Sequence, residues 1–410
     1  MAKILCYDYG LCTSHAQKLA EQGNMVFYYV PWQDAFPQST KALIGEGLEG
    51  LHRITDFWDY VDKVDIIVFF DNYCGDLVDY LRKKGYKVFG AGPAEKLELD
   101  RIKQKDILKT VGLPVGEYEI IHGLSALREY LKENKDKYIK INAFRGDVET
   151  FHHKDYKSSL PLLDHIAYKL GAKQEELDFI IEDTIPGVEP GYDGFVVDGK
   201  YPEITMYGYE LKGAGYIGRI VLDRGLPPAL KEINTKLAPF FKVSKARTMF
   251  STEVRVGEDR KGYLIDPCVR APMPVPSAIE IEIYKNFSDI VLNAAEGKMI
   301  KPQPIAKYGV GVCLESEWAQ DHWLEITIPE EIRQWVKLRM ATNFRGTYYA
   351  VPGFTSICSV IGLGNTIDEA AEKCKKRVDM VDAYMIDKDT SGIDRIKEII
   401  EEGKKFGINF

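Results

Sequence analysis

Residues 249 to 270 read Met-Phe-Ser-Thr-Glu-Val-Arg-Val, then Gly-Glu-Asp-Arg-Lys-Gly, then Tyr-Leu-Ile-Asp-Pro-Cys-Val-Arg. Two alternating runs rich in β-formers flank a polar turn bounded by Gly257 and Gly262, the pattern of an antiparallel hairpin. Centring the turn on Asp259 and Arg260 pairs Val254 with Ile265 and Val256 with Tyr263 on a core face. The opposite face then sets Glu253 against Asp266, Ser251 against Cys268 and Met249 against Arg270. Two carboxylates about 5 Å apart across a ladder repel each other. Such a pair is bridged by a cation, for which a hard divalent ion such as Mg²⁺ suits the oxygens, or it is two solvated side chains on an exposed face. The hairpin alone leaves both readings open.

Outward from the hairpin, 410 residues suffice for two or three domains with sizeable cores. A formal charge of −8 with no basic stripe argues against nucleic acid as the main partner, while a phosphorylated small molecule held by local cations stays compatible. No apolar run reaches membrane-spanning length, and the start runs directly into strand-like sequence without a cleavable signal, so a cytoplasmic protein is expected. The seven cysteines are scattered without paired spacing and read as reduced thiols. The only adjacent histidines, His152 and His153, do not share a face, so a transition-metal site is not expected.

The first 92 residues alternate strands (3–8, 25–30, 65–70, 87–90) with helices (14–22, 76–84), which predicts a small doubly wound α/β domain. It lacks Gly-x-Gly-x-x-Gly after its first strand, so no dinucleotide site is read. Residues 93 to 300 hold a helix over 94–111, further strands and helices, a Gly- and Tyr-rich region at 187–218, the hairpin, and a helix over 279–296. From 301 to 410 come strands at 310–315, 323–328 and 356–362 and two charged helices, a small α+β domain.

Three more sites carry candidate chemistry. Lys140 ends a strand before a turn, where it either reaches nucleotide phosphates or lies on the surface. Glu182-Asp-Thr-Ile-Pro-Gly-Val-Glu189 places two carboxylates about a turn. They are suited to an adenine amino group and ribose hydroxyls, with the Ile185 N–H for a ring nitrogen, or they belong to a plain polar turn. Arg101 and Lys105 share a helix face at i and i+4, either aimed at phosphates or solvated.

These pieces, in this order, resemble the ATP-grasp superfamily, and within it the phosphoribosylamine–glycine ligases. Gly10-Leu-Cys-Thr-Ser-His-Ala is similar to that family's Gly-Gly-Arg-Glu-His-Ala, and Leu97-Glu-Leu-Asp-Arg-Ile-Lys-Gln-Lys-Asp to Leu-Glu-Gly-Ser-Lys-(x)3-Lys-Asp. Lys140 falls on the second ATP lysine, Glu182 to Glu189 on Glu-Glu-Phe-Leu-x-Gly-x-Glu, and Asp266-Pro-Cys-Val-Arg270 on Glu-x-Asn-x-Arg. Gly364-Asn-Thr-Ile-Asp-Glu-Ala resembles the last domain's Gly-x-Thr-x-x-Glu-Ala.

The resemblance implies an ATP-grasp fold with a Rossmann-like first domain. It further implies ATP bound by Arg101, Lys140, Glu182, Ile185 and Glu189, with Mg²⁺ on Glu253 and Asp266. The implied reaction joins a small-molecule carboxylate to an amine through an acyl phosphate, with Arg270 and Lys140 catalytic and His15, Lys212 and Arg270 near the co-substrates. Departures accompany it. Leu11-Cys-Thr-Ser lacks the family's Arg, Arg145-Gly-Asp shortens the Gly-rich loop, and Ala271-Pro-Met-Pro-Val-Pro replaces Phe-Gly-Asp-Pro-Glu. Cys268 stands at a magnesium-ligating Asn, although a thiol is a poor Mg²⁺ ligand. Two alternatives stay open: the phosphoribosylamine–glycine ligase reaction itself, and a degenerate ATP-binding regulator or scaffold.

Overall fold

A computed structural model describes residues 1–31, 40–142, 150–211 and 215–410. Lys212 and the Arg145-Gly-Asp segment lie outside the described residues. The chain opens with five parallel strands, β1 (Lys3–Tyr7), β2 (Met25–Tyr29), β3 (Leu51–Ile54), β4 (Ile66–Phe69) and β5 (Val88–Phe89), ordered β3-β2-β1-β4-β5. Every residue of β4 is buried, as a strand covered on both faces requires. Helix α1 (Thr13–Glu21) follows β1.

A second, antiparallel sheet contains β6 (Tyr118–His122), β7 (Lys137–Ile141), β8 (Thr150–His153) and β9 (Asp178–Asp183), ordered β6-β9-β7-β8. Its odd-numbered residues Ile139, Ile141, Phe179 and Ile181 pack on Leu127, Leu131, Leu163 and Ile166. Period-two alternation therefore turns Lys140 and Glu182 to the opposite face.

The largest sheet has eight antiparallel strands in the order β14-β13-β10-β11-β12-β15-β20-β17. These are β10 (Pro190–Val197), β11 (Ile204–Leu211), β12 (Gly215–Leu222), β13 (Arg247–Val256), β14 (Gly262–Cys268), β15 (Tyr308–Glu315), β17 (Val336–Leu338) and β20 (Ser356–Gly364). It draws strands from both sides of residue 300. A small sheet of β16 (Leu324–Thr327), β18 (Ala341–Phe344), β19 (Thr347–Ala350) and β21 (Asp382–Ala383) completes the chain.

Three sequence expectations change in detail. The hairpin keeps Glu253 opposite Asp266 and Ser251 opposite Cys268, but a bulge after Glu253 pairs Val254 with Leu264, Arg255 with Tyr263 and Val256 with Gly262. Ile265 is the extra residue, so the predicted Val254–Ile265 and Val256–Tyr263 pairs do not form. Pairing of β13 with β14 ends at Cys268, and Met249 instead stands opposite Phe195.

The helix expected over 94–111 is broken at Asp100. There the backbone is extended (φ −128°, ψ 95°), and the side chain accepts the Lys103 N–H at 3.0 Å to cap α2 (Arg101–Thr110). The helix expected over 279–296 is two, α3 (Pro276–Ile283) and α4 (Phe287–Ala295).

Candidate functional site

The register of the large sheet sets out its cleft face row by row. One cross-strand row holds Tyr216, Glu210, Glu189 and Arg255. The next runs Gly309, Gly218, Gly208, Gly191, Glu253, Asp266. The third runs Ile220, Met206, Asp193, Ser251, Cys268. Consecutive rows are two residues apart along each strand, about 7 Å. Glu189, Glu253 and Asp193 thus stand in order along the cleft floor, and all three line one cavity of about 140 Å³, together with Asp266, Cys268 and Arg270.

The second sheet faces this floor with cations. Lys140 Nζ lies 3.0 Å from Glu182 Oε2, and Lys105 pairs with the other Glu182 oxygen. Burial opposes charge at Glu182, but Lys140 and Lys105 hold its carboxyl down at about 2. Burial pushes the Lys105 ammonium down, with Glu182 pulling the other way.

Arg101 and Lys105 are both buried, so their helix face is the cleft wall and not a solvated one. One contact joins the two sheets directly and a second joins α2 to the large sheet. Lys140 Nζ donates to the Ile265 carbonyl at 3.3 Å, and Arg101 Nη1 lies 3.5 Å from Asp266 Oδ1. The bulge matters here, because Ile265 has no cross-strand partner in the β13–β14 register.

On the floor, charge is poorly compensated. Withdrawal from water, then Asp266, Glu210 and Glu189, pushes the Glu253 carboxyl well above its ordinary value, although its side chain opens onto the cleft. Glu210 is also raised, by burial and by Glu189. Glu189 pairs with Arg255 at 2.5 Å.

No group of three or more His, Cys, Asp or Glu side chains among the described residues is arranged to hold a metal. Two facing carboxylates in an acid-crowded site nevertheless fit Mg²⁺, which is commonly held by one or two carboxylates together with substrate phosphates. The Cys268 thiol is turned toward the Arg270 and Ala271 carbonyls, at 3.7 and 3.9 Å.

Arg270 Nε lies 3.0 Å from Glu98 Oε1 and 3.5 Å from Asp71 Oδ1, which ties the cleft to the end of β4. Glu98 in turn accepts from Asn72 at 2.8 Å and from the Val269 N–H at 2.7 Å. Ile185 follows β9, its side chain against Gly116. His15 is only 2% exposed, with neither ring nitrogen hydrogen-bonded among the described residues. It lines a separate small cavity with Ser14, Lys337 and Arg339, and burial holds its pKa down at about 3.

Sequence reading missed Glu98 and Asp193. Glu98 sat inside a motif but was read only for its neighbours. The alternation of β10 would have put Asp193 on the same face as Glu189.

A four-stranded sheet closing over a large antiparallel sheet is the ATP-grasp fold, and solved structures of that fold superpose on nearly the whole of this chain. No protein-family model matches the chain, and no curated protein matches it by sequence. Among solved structures, phosphoribosylamine–glycine ligase from Thermotoga maritima superposes with a TM-score of 0.70 and 18% identity, covering 94% of this chain and 98% of that one. The biotin carboxylase domain of Hydrogenobacter thermophilus 2-oxoglutarate carboxylase, solved with MgADP and bicarbonate, gives a TM-score of 0.66 and 13% identity, covering 100% and 99%. L-amino acid ligase from Bacillus licheniformis gives 0.63 and 14%, covering 93% and 98%.

Proposed function

We propose that this protein is an ATP-dependent carboxylate–amine ligase that forms an amide through an acyl phosphate and releases ADP and phosphate. The observation that carries this reading is the register of the cleft floor, in which the Glu189 row, the Glu253–Asp266 row and Arg270 follow one another beneath Lys140 and Arg101. Glu182 and the Ile185 backbone take the adenine, and Glu189 takes the ribose hydroxyls. Arg101 and Lys140 take the phosphates and leave their present partners, Asp266 and Glu182, as they do so.

Mg²⁺ on Glu253 and Asp266 would neutralise the charge of the phosphate oxygens. Arg270, held in place by Glu98 and Asp71, steers the substrate carboxylate and then balances the acyl phosphate, because a guanidinium fork matches those oxygens. The ligase structures named above support small-molecule acids and amines as substrates. The seven cysteines, scattered along the chain without paired spacing, fit a reducing, cytoplasmic setting.

The test is ADP release from ATP·Mg²⁺ against a panel of acids and amines. Acid-dependent release that vanishes in Glu253→Ala and Asp266→Ala is expected. Turnover retained in either variant removes the metal assignment, and thermal stabilisation by ATP without release under any pairing supports a binding protein instead.

A further inference from the structure

The third row of the floor has no task in the reading above, yet it is the most unusual in its chemistry. Asp193 is 1% exposed and lies one row beyond the Glu253–Asp266 pair, on the side away from Glu189. It accepts a hydrogen bond from the Tyr216 hydroxyl. That contact spans the glycine row. A Cβ at Gly208 would lie 2.4 Å from the Tyr216 hydroxyl, and one at Gly218 would lie 3.2 Å from the ring. The glycines therefore let the ring lie across the sheet and bring its hydroxyl to Asp193.

Behind Asp193 is Glu280 on α3. Close approach of this helix also rests on glycine, since a Cβ at Gly309 would meet Ile279 at 2.3 Å. Glu280 is fully buried, and neither of its oxygens has a partner among the described residues. Among the described residues no cation is paired with Asp193 or Glu280. The groups facing Asp193 are Tyr216 of β12, Ser251 of β13, Glu280 of α3 and Tyr284 just past the end of that helix, with Tyr192 next to it on β10. Burial raises Asp193 to about 6, and burial together with Asp193 raises Glu280 well above the usual carboxylate range. Two buried carboxyls so placed are short one positive charge.

Resting on the ligase reading, we propose that Asp193, which lines the cavity with Glu280 buried behind it, is the site for the ammonium group of the amine substrate and the base that deprotonates it. The ammonium gives one proton to the Asp193 carboxylate. The freed nitrogen lone pair forms the C–N bond at the acyl-phosphate carbon, and the C–O bond to phosphate breaks with its electron pair leaving on phosphate. The departing phosphate takes the second nitrogen proton, and Asp193 returns the first to solvent. Tyr216 is a positioning residue: its hydroxyl favours the ionised form of Asp193.

Hydroxylamine, uncharged at neutral pH, separates this step from acyl-phosphate formation. The purified full-length chain is given ATP·Mg²⁺, a panel of amino acids and dicarboxylic acids, and either hydroxylamine or a primary amine. Asp193→Asn is expected to keep acyl-hydroxamate formation within about twofold of wild type and to lose primary-amine turnover by roughly 10²-fold or more. Tyr216→Phe is expected to move the acid limb of kcat/KM for the primary amine upward by roughly one pH unit, with the hydroxylamine profile unmoved. Unchanged primary-amine turnover in Asp193→Asn, equal loss with both nucleophiles, or an unmoved acid limb in Tyr216→Phe overturns the proposal. A wild-type protein that makes no hydroxamate with any acid overturns the ligase reading itself, and this inference with it.

Discussion

Glu182 in the second sheet and Glu280 against the large one are both withdrawn from water, and their surroundings are opposites. Glu182 has a lysine on each oxygen and is held down at about 2. Glu280 has no partner among the described residues and is pushed up. Glu282, two residues further along the same helix, shows that the fold has the means to compensate a carboxylate there. It takes Lys18 at 2.9 Å, Lys337 at 2.6 Å and Gln334 at 2.9 Å. The large-sheet floor and its backing are therefore left acidic at Glu210, Glu253, Asp193 and Glu280, while Glu189 and Glu282 are paired with cations. A buried group without a counter-charge costs stability unless it changes protonation or gains a cation. The second sheet brings its own cations, and the floor calls for cations that arrive with the substrates.

The most severe way to break this contrast is to remove the floor's carboxylates where a metal is assigned. Glu253→Ala or Asp266→Ala should lower acid-dependent ADP release by roughly 10³-fold or more, since charge neutralisation dominates phosphoryl transfer; a coupled ADP assay reads it. On the other side, Lys140→Met leaves Glu182 with only Lys105 and should destabilise the fold by about 2 kcal/mol in urea unfolding. In the opposite direction, Asp193→Asn removes a carboxyl whose ionisation the fold resists, and should raise stability at pH 7 by on the order of 2 kcal/mol while amine turnover falls.

The pH dependence of unfolding sharpens the contrast further. Asp193, with a folded pKa of about 6, lies above an unfolded value near 4. The folded state binds more protons between those values, so this group's contribution makes stability rise as pH falls from about 6 to 4. Glu182, at about 2, has the reverse sign: it stabilises fully above about pH 4.5, and that share is lost as pH falls through 2. A maximum near pH 4 to 5 is the expected outcome, and Asp193→Asn should flatten only its upper slope. The smallest effect belongs to Arg255→Ala. Its pair with Glu189 is about a third exposed, so stability should move by less than about 1 kcal/mol.

Much of the fold was legible because periodicity reports burial. The apolar run at 65–70 became β4, and the alternation of 249–256 became β13, with Glu253 and Asp266 opposed as expected. What the sequence could not give were the interruptions. The bulge at Ile265 leaves alternation on both flanks intact, and Asp100 reads as one more polar helix residue until its side chain is seen capping Lys103. Lys140 and Glu182 could be named as candidates, but their mutual ion pair could not, because it depends on how β7 and β9 pair. Asp193 was missed through attention to motif: β10 carries it on the Glu189 face, yet no motif names that position. The same holds for Glu280, which the packing of α3 over Gly309 buries behind Asp193.

That glycine row has a consequence for how the protein can change. Tyr216 lies over backbone, with Gly208 and Gly218 beneath it offering no side chain to interlock with the ring. A shorter residue at 216 would open a slot in the floor beside the Glu253–Asp266 pair, at the loss of the hydrogen bond to Asp193. Enlarging either glycine closes that route, because a Cβ at Gly208 would fall 1.9 Å from the Ile217 carbonyl. The shape of the floor is thus open to change at the ring and closed to it at the strands beneath.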